Sequence, residues 1–178
     1  MKTHNHMMNT HNYCSTCGTK LILKEEPESR SSYCPACEKP IYKDPKVATC
    51  TLVTNADNAI LLAKRALEPG LGKWALPGGY VNLGEVVETA ARREILEETG
   101  ILCEITKLLG VFSAENTSPI LIVYRAHTTG GTLTPSAETP EVGFFQSNDL
   151  PPLSFPRDYD IIVEHFLSLA IDPNLDPS

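Results

Sequence analysis

The stretch that decides the fold is residues 79–101, which reads GYVNLGEVVETAARREILEETGI. Over residues 86–99 it carries two alanines and dense Glu and Arg, a composition that favours a helix. Gly100 stands where a helix-ending glycine is expected. Residues 68–84, rich in glycine and proline, predict a shaped loop around one short strand. The sequence therefore predicts a glycine loop that leads into an acidic helix.

Three carboxylates of this helix, Glu94, Glu97 and Glu98, are spaced i, i+3 and i+4. At 3.6 residues per turn this spacing places them within an arc of about 100° on one helix face, where like charges repel. Such a cluster is tolerated when divalent cations lie between the carboxylates, and hard oxygen ligands suit Mg²⁺ or Mn²⁺. Because Mg²⁺ recruits substrate phosphates, the cluster indicates phosphate chemistry. The alternative is a solvated, charged helix face.

The glycines and the remaining charges of this segment carry two further expectations. Gly78 and Gly79 let the backbone approach the acid cluster, where the Gly79 carbonyl is placed to serve as a further ligand. Arg93 is expected on a different side of the helix from Glu94, where it would pair with Glu85 and brace the loop against the helix.

The complete spacing, G-x5-E-x7-R-E-I-x-E-E-x-G-I over residues 79–101, resembles the Nudix box at all nine defined positions. The resemblance extends over roughly residues 47–170. It implies an α/β/α sandwich with a mixed sheet, and a Mg²⁺-dependent hydrolase of nucleoside diphosphates linked to another moiety. Carried over by position, it implies a set of metal-holding groups and a supporting pair. The metal-holding groups are Glu94, Glu97, Glu98 and the Gly79 carbonyl, and the supporting pair is Glu85 with Arg93.

Nudix enzymes often take one more carboxylate from a loop outside the box, as a further ligand or as the base that acts on water. Glu138 and Glu141, just before a strand expected at 142–146, are the candidates, and Glu115 is a third. Exposed loop glutamates are common, so an ordinary surface role stays open for each of them.

On both sides of the box, alternating apolar and β-branched residues predict strands. The strands are expected at 47–53, 59–63, 104–112, 120–127 and 142–146, and a second helix at 158–170. The first two form a hairpin around the turn residues 55–58. This order has too few crossovers for a doubly wound parallel sheet and predicts an α/β fold with a mixed sheet between helices.

Four of the six cysteines form paired Cys-x-x-Cys units, Cys14-x2-Cys17-x16-Cys34-x2-Cys37, which is the spacing of a four-cysteine zinc ribbon. A unit of about 30 residues builds little core, so the Zn²⁺ would supply most of its folding free energy. Closed coordination leaves no open position, so the expected role is structural. Disulfides or a redox pair are the alternative.

The remaining cysteines and the amino-terminal histidines are not assigned to a metal. Cys50 and Cys103 are expected as small core residues. His4, His6 and His11 are interpreted as incidental, because cysteines fill all four zinc positions. The predicted organisation is a disordered start (1–12), a zinc ribbon (13–45), a Nudix domain (46–171) and a flexible tail (172–178).

The zinc ribbon narrows the resemblance to one subgroup of the Nudix family. CPAC at 34–37 followed by IYKDPKV at 41–47 resembles a Nudix subgroup linked to hydrolysis of FAD and ADP-ribose, which implies AMP and the phosphorylated other half as products. NADH pyrophosphatases also carry a ribbon, but with an SQPWPFP-type run after the box, of which Phe155-Pro156 is only a fragment. The alternatives are an NADH pyrophosphatase and a nucleotide-sensing or nucleic-acid-binding regulator with a Nudix-like domain.

Four aromatic side chains are candidates for a base platform: Trp74, Tyr80, Phe112 and Tyr124. Tyr80, directly after the glycines, is the favoured one, whereas Phe112 and Tyr124, each within an expected strand, are interpreted as core. Arg65 is expected to reach a phosphate or, alternatively, to lie on the surface.

Composition excludes several classes of protein. The 178 residues are 42% hydrophobic and suit one domain with a small appendage. A net charge of −7 argues against a protein that grips nucleic-acid backbones. No apolar run approaches the roughly 20 residues that cross a bilayer, and the amino-terminal stretch does not resemble a secretory signal. The expectation is a cytoplasmic protein acting on a small nucleotide, and the resemblance implies a homodimer.

Overall fold

The structure is a computed structural model that describes residues 12–26, 29–42, 44–115 and 119–171. The chain divides into two compact units after Asp44. The three amino-terminal histidines and the expected tail at 172–178 lie outside the described residues, as does nearly all of the expected disordered start.

The amino-terminal unit contains one small antiparallel sheet of three strands in the order β1-β2-β3. The strands are β1 (Ile22–Glu26), β2 (Ser29–Cys34) and β3 (Lys39–Ile41). Among the side chains described in this unit, those of Cys14 and Cys34 are buried. The unit therefore has no apolar core of its own beyond its cysteines, within the residues described.

The second unit is built on a seven-stranded sheet in the order β10-β5-β4-β9-β8, with β6 on β5 and β7 on β4. The strands are β4 (Lys46–Thr54), β5 (Ile60–Lys64), β6 (Trp74–Ala75), β7 (Gly78–Tyr80), β8 (Ile101–Phe112), β9 (Pro119–Gly131) and β10 (Glu141–Phe145). β4 and β9 run parallel and the other pairs are antiparallel. The predicted mixed sheet is confirmed.

Two helices cover opposite faces of this sheet, α1 (Val87–Thr99) and α2 (Pro156–Ile171). The alternation of β5 shows how: Ile60 and Leu62 pack in the core that α2 contributes to, whereas Leu61 packs with Ile95 of α1. Successive side chains of a strand point to opposite faces, so one apolar strand serves both layers. The predicted α/β/α sandwich is confirmed.

The glycine that was expected to end the first helix does so. Gly100 adopts a left-handed conformation with φ 73°, and its N–H donates to the Leu96 carbonyl at 2.9 Å. This sharp stop turns the chain directly into β8. Neither helix, within the residues described, is long and apolar enough to cross a membrane.

The segment before α1 differs from the prediction of one short strand. It contains two, β6 and β7, separated by Leu76 and Pro77. Pro77 has no N–H to donate and breaks the ladder, while its carbonyl accepts a hydrogen bond from the Thr51 N–H at 3.0 Å. This break lets β6 pair with β5 and β7 with β4, which lays the two glycines alongside the centre of the sheet.

Candidate active site

A cleft of about 1260 Å³ opens beside β7 and α1. Four glutamates line it: Glu94, Glu97, Glu98 and Glu138. The same cleft is lined by two arginines, Arg65 and Arg157. Acidic and basic groups thus share one cavity that is large enough for a dinucleotide-sized ligand.

Glu98 is held at the inner part of this acid cluster. Its Oε2 accepts a hydrogen bond from the Gly78 N–H at 2.8 Å, which joins α1 to β7. Burial, with a smaller contribution from the charges of Glu94 and Glu138, raises the pKa of Glu98 to about 7. Burial also raises the pKa of Glu94. The carboxylates therefore lie close together in a poorly hydrated place, where a cation would stabilise their charged forms.

Arg93 ties the loop before α1 to the helix. Its Nε and Nη2 donate to the two carboxylate oxygens of Glu85 at 2.8 and 2.9 Å, and the Asn82 N–H donates to the same carboxylate at 2.9 Å. The hydrogen bonds from Arg93, followed by that from Asn82, lower the pKa of Glu85 to about 2. This bidentate pair fixes the loop that carries β7 against the helix.

The helical position of Arg93 predicted that its side chain would lie away from Glu94. The structure shows instead that it contacts the acid cluster. Its Nη1 donates to Glu94 at 2.7 Å and to Glu97 at 3.1 Å. The guanidinium lies at the end of a long side chain, so it reaches groups that the Cα position alone separates. Arg93 therefore orients two of the box carboxylates in addition to bracing the loop.

At Gly79 the backbone passes close to the carboxylate of Glu94. A Cβ built at Gly79 would lie 2.5 Å from the Glu94 carboxylate carbon. On the sheet side, Gly79 pairs with Thr49 of β4, so the backbone cannot retreat without breaking the ladder. Only glycine allows this approach.

Gly79→Ala is therefore expected to displace the Glu94 carboxylate and to lower turnover by about 10²-fold, the usual cost of a displacement of roughly 1 Å within an active site. The matched control is Gly130→Ala, where the added Cβ meets Leu102 at an ordinary 3.8 Å. Steady-state turnover of both variants checks this expectation. Wild-type turnover in Gly79→Ala would show that the close approach has no role.

Glu138 is brought to the cleft by a loop that is hydrogen-bonded to the end of α1. The Thr139 hydroxyl donates to the Glu98 carbonyl, and the Thr134 N–H donates to the Thr99 carbonyl at 2.8 Å. The other two candidates for an extra carboxylate are not among the residues that line the cleft. Of these, Glu141 forms an ion pair with Lys64 at 2.6 Å, and Glu115 is exposed.

Both predicted substrate contacts, Tyr80 and Arg65, lie in the cleft. Tyr80 is half exposed, with the Lys46 Nζ 4.7 Å from its ring centroid. The Nε of Arg65 donates to the Pro69 carbonyl at 2.7 Å.

Of the other aromatic candidates, one differs from the prediction. Phe112, interpreted as core, is about one third exposed and lines the cleft, because it ends β8 where the strand leaves the sheet. Tyr124 is buried as expected, and its hydroxyl donates to Glu88 at 3.2 Å. Trp74 packs edge-on against Phe145, at 4.8 Å between ring centroids.

Three residues at the start of α2 were missed: Phe155, Arg157 and Asp158, all of which line the cleft. The carboxylate of Asp158 is buried and accepts a hydrogen bond from the Leu76 N–H at 3.2 Å, and burial raises its pKa to about 6. From the sequence alone, an Asp at the start of a helix is explained by its ordinary role of stabilising the helix N-terminus, so Asp158 gave no sign of a site. The one available signal was the aromatic residue just before a proline.

In the amino-terminal unit, the four cysteines of the paired motif converge. Their Sγ atoms all lie within 4.8 Å of one another, and those of Cys17 and Cys34 are 3.5 Å apart. A tetrahedron with Zn–S bonds of about 2.3 Å has S–S edges of about 3.8 Å, so this donor set fits zinc. Cys50 and Cys103 are buried in the second unit, which confirms them as core residues.

The fold agrees with comparisons to known proteins. The NUDIX domain family matches residues 44–166, and the chain belongs to that family. An ADP-ribose pyrophosphatase from Methanocaldococcus jannaschii is 40% identical over 131 residues, which cover 71% of this chain and 76% of that protein. The chain is thus a Nudix hydrolase.

Two further relatives extend the comparison. A NAD-capped RNA hydrolase NudC from Pasteurella multocida is 34% identical over 107 residues, 60% of this chain but only 39% of that protein. The crystal structure of a NUDIX hydrolase from Nitrosomonas europaea superimposes with a TM-score of 0.82 at 30% identity, covering 94% of this chain and 96% of that one. A match of this extent reaches into the amino-terminal unit.

Proposed function

We propose that this enzyme hydrolyses the diphosphate of a nucleoside diphosphate linked to another moiety, with ADP-ribose or FAD as substrate. The observation that carries the proposal is the cleft, in which the box carboxylates and two arginines face one cavity. A relative that is named for ADP-ribose supports the first of the two substrates. The products are AMP and the phosphorylated other half.

The residues that would hold Mg²⁺ or Mn²⁺ are Glu94, Glu97 and Glu98, with the Gly79 carbonyl. Their chemistry fits such an ion, because they are hard oxygen donors and because burial, which raises the pKa of Glu94 and of Glu98, leaves these two carboxylates poorly hydrated. When bound, the metal polarises a phosphoryl oxygen and lowers the pKa of water.

The chain's own residues do the rest of the work. Water attacks one phosphorus, the bridging P–O bond breaks, and the bridging oxygen leaves with the other phosphate. Glu138, the carboxylate from outside the box that lines the cleft, is the candidate to accept the proton of that water. Arg93 orients Glu94 and Glu97. Tyr80 contacts the nucleotide base of the substrate, and Arg65 contacts a phosphate.

For the rest of the molecule we propose a structural Zn²⁺ on Cys14, Cys17, Cys34 and Cys37, which places the zinc ribbon over residues 13–45. A homodimer and a cytoplasmic location complete the proposal. Light scattering after size-exclusion chromatography tests the dimer, for which a mass near 39 kDa is expected from the 19.5 kDa chain.

The substrate proposal is tested by incubating the purified protein and Mg²⁺ with ADP-ribose, FAD, NADH, a NAD-capped RNA and ATP, and by separating the products chromatographically. AMP with ribose 5-phosphate from ADP-ribose, or AMP with FMN from FAD, is expected at the highest rate, and EDTA abolishes it. Faster cleavage of NADH or of the capped RNA would contradict the proposed substrates and would support the alternative of an NADH pyrophosphatase. Absence of cleavage in every arm would contradict hydrolysis and favour the nucleotide-sensing alternative.

A further inference from the structure

One wall of the cleft carries an aromatic ring in contact with two guanidinium groups. The Cζ of Arg65 lies 5.3 Å and the Cζ of Arg157 lies 5.7 Å from the ring centroid of Phe155. All three residues line the cleft. They come from distant parts of the chain, the end of β5 and the start of α2, so the fold itself brings them together.

The Phe155–Arg157 segment is held in place by hydrogen bonds from the residues next to it in sequence. The buried carboxylate of Asp158 accepts the Leu76 N–H at 3.2 Å and lies 3.7 Å from the Nη2 of Arg157. The Ser154 N–H also donates to the Trp74 carbonyl at 2.7 Å. The position of Arg157 is thus set by backbone on both sides of it.

Arg157 nevertheless has one donor without a partner among the residues described. Its Nε is buried and has no hydrogen-bond partner among the residues described, and its contact to Asp158, at 3.7 Å, is longer than a hydrogen bond. A buried donor without a partner is unfavourable, and a guanidinium held on an aromatic face loses little further freedom on binding. The Nε itself is out of reach of the cleft, but 38% of the Arg157 side chain is exposed and the residue lines the cleft, so the guanidinium can bind an acceptor that arrives with the ligand.

We propose that Arg157 is a substrate-binding residue that, together with Arg65, holds a phosphate oxygen of the diphosphate, and that Phe155 is a positioning residue for both guanidiniums. The inference rests on the proposed function, since it deepens the recognition of the same substrate. Guanidinium groups bind phosphate by paired, charge-assisted hydrogen bonds. They also supply positive charge on the wall of a cleft whose other charged groups include four glutamates.

The experiment measures binding by isothermal titration calorimetry with two probes, α,β-methylene ADP-ribose and methylenediphosphonate, both in Mg²⁺. Arg157→Met keeps the apolar stem and should weaken binding of both probes on the order of 10- to 100-fold, with Arg157→Lys in between. In steady state, KM should rise with kcat within about threefold. Arg92→Met, an exposed arginine of α1 outside the lining residues, is the matched control and should bind as the wild type does.

Phe155 is tested by its own pair of variants. Phe155→Leu should raise KM, and Phe155→Tyr, which retains the ring, should restore it; a purely structural role would lower the melting temperature without this KM pattern.

The two probes separate the two claims. If the wild type binds the diphosphonate but not the nucleotide analogue, and Arg157→Met loses that binding, the substrate proposal fails and the role of Arg157 stands. If Arg157→Met binds both probes within twofold of the wild type, the role of Arg157 is overturned. Failure of the wild type to bind either probe overturns both.

Discussion

Glu98→Gln should lose turnover on the order of 10³-fold, because the box loses a charged ligand for the metal, while the metal-free protein becomes more stable. Glutamine keeps the volume, and its Oε1 can still accept the Gly78 N–H that Glu98 accepts at 2.8 Å. What the substitution removes is the negative charge and the ability to take up a proton. The assay is single-turnover cleavage of ADP-ribose at saturating Mg²⁺.

The stability effect of this variant follows from the raised pKa of Glu98, about 7 against a usual 4.5. A group whose folded-state pKa is raised favours folding most below pH 4.5, and this advantage is lost as the pH rises through 7. At pH 8 the buried charge therefore costs on the order of 2 kcal/mol, which the neutral amide avoids. Calorimetry in EDTA should show a higher melting temperature for Glu98→Gln at pH 8 and little difference at pH 5.

The matched control is Glu164→Gln, an exposed carboxylate of α2 outside the lining residues, which should change neither turnover nor the pH dependence of melting. Retained turnover in Glu98→Gln would remove the box from the mechanism. A lower melting temperature at pH 8 would show that the charge of Glu98 stabilises the metal-free fold, which would contradict a raised pKa for this carboxyl.

Removal of zinc should unfold the amino-terminal unit and leave the second unit folded. Among the side chains described in the first unit, only two cysteines are buried, so hydrophobic burial offers little to replace the metal. Structural zinc sites of this kind bind with roughly 10–16 kcal/mol, which is folding free energy in so small a unit. Hydrogen exchange after chelation should show β2 and β3 fully exchanged while β4 and β9 stay protected.

The variant that reports on the same site is Cys34→Ser, whose thiol lies 3.5 Å from that of Cys17. It should lower the zinc content from one ion per chain towards zero, as measured by inductively coupled plasma mass spectrometry. Cys103→Ser, a buried cysteine outside the cluster, should keep the zinc. Full protection of β2 and β3 in the chelated protein would contradict a structural role for the metal.

Much of the fold could be predicted because its signals are local. Apolar residues at every position of β5 before its final lysine predicted a strand, and Gly100 predicted the end of α1; both are confirmed. The spacing of Glu94, Glu97 and Glu98 predicted one acidic face, and these residues do line one cleft. Their role as metal ligands stays a prediction.

What could not be predicted depends on where distant segments meet. Phe112 was interpreted as core because it lies in a strand, yet the cleft begins where that strand ends. Phe155 and Arg157 join the cleft only because Asp158 is hydrogen-bonded to the backbone of Leu76, 82 residues away in sequence. No periodicity in a single segment reports such a contact.

The central claim is that the box carboxylates hold divalent metal against a diphosphate. Crystals grown with Mn²⁺ and α,β-methylene ADP-ribose, measured at the manganese absorption edge, test it most directly. We expect anomalous peaks in contact with the carboxylates of Glu94, Glu97 and Glu98 and with the diphosphate oxygens. An ordered analogue in the cleft with no manganese beside these carboxylates would contradict the claim.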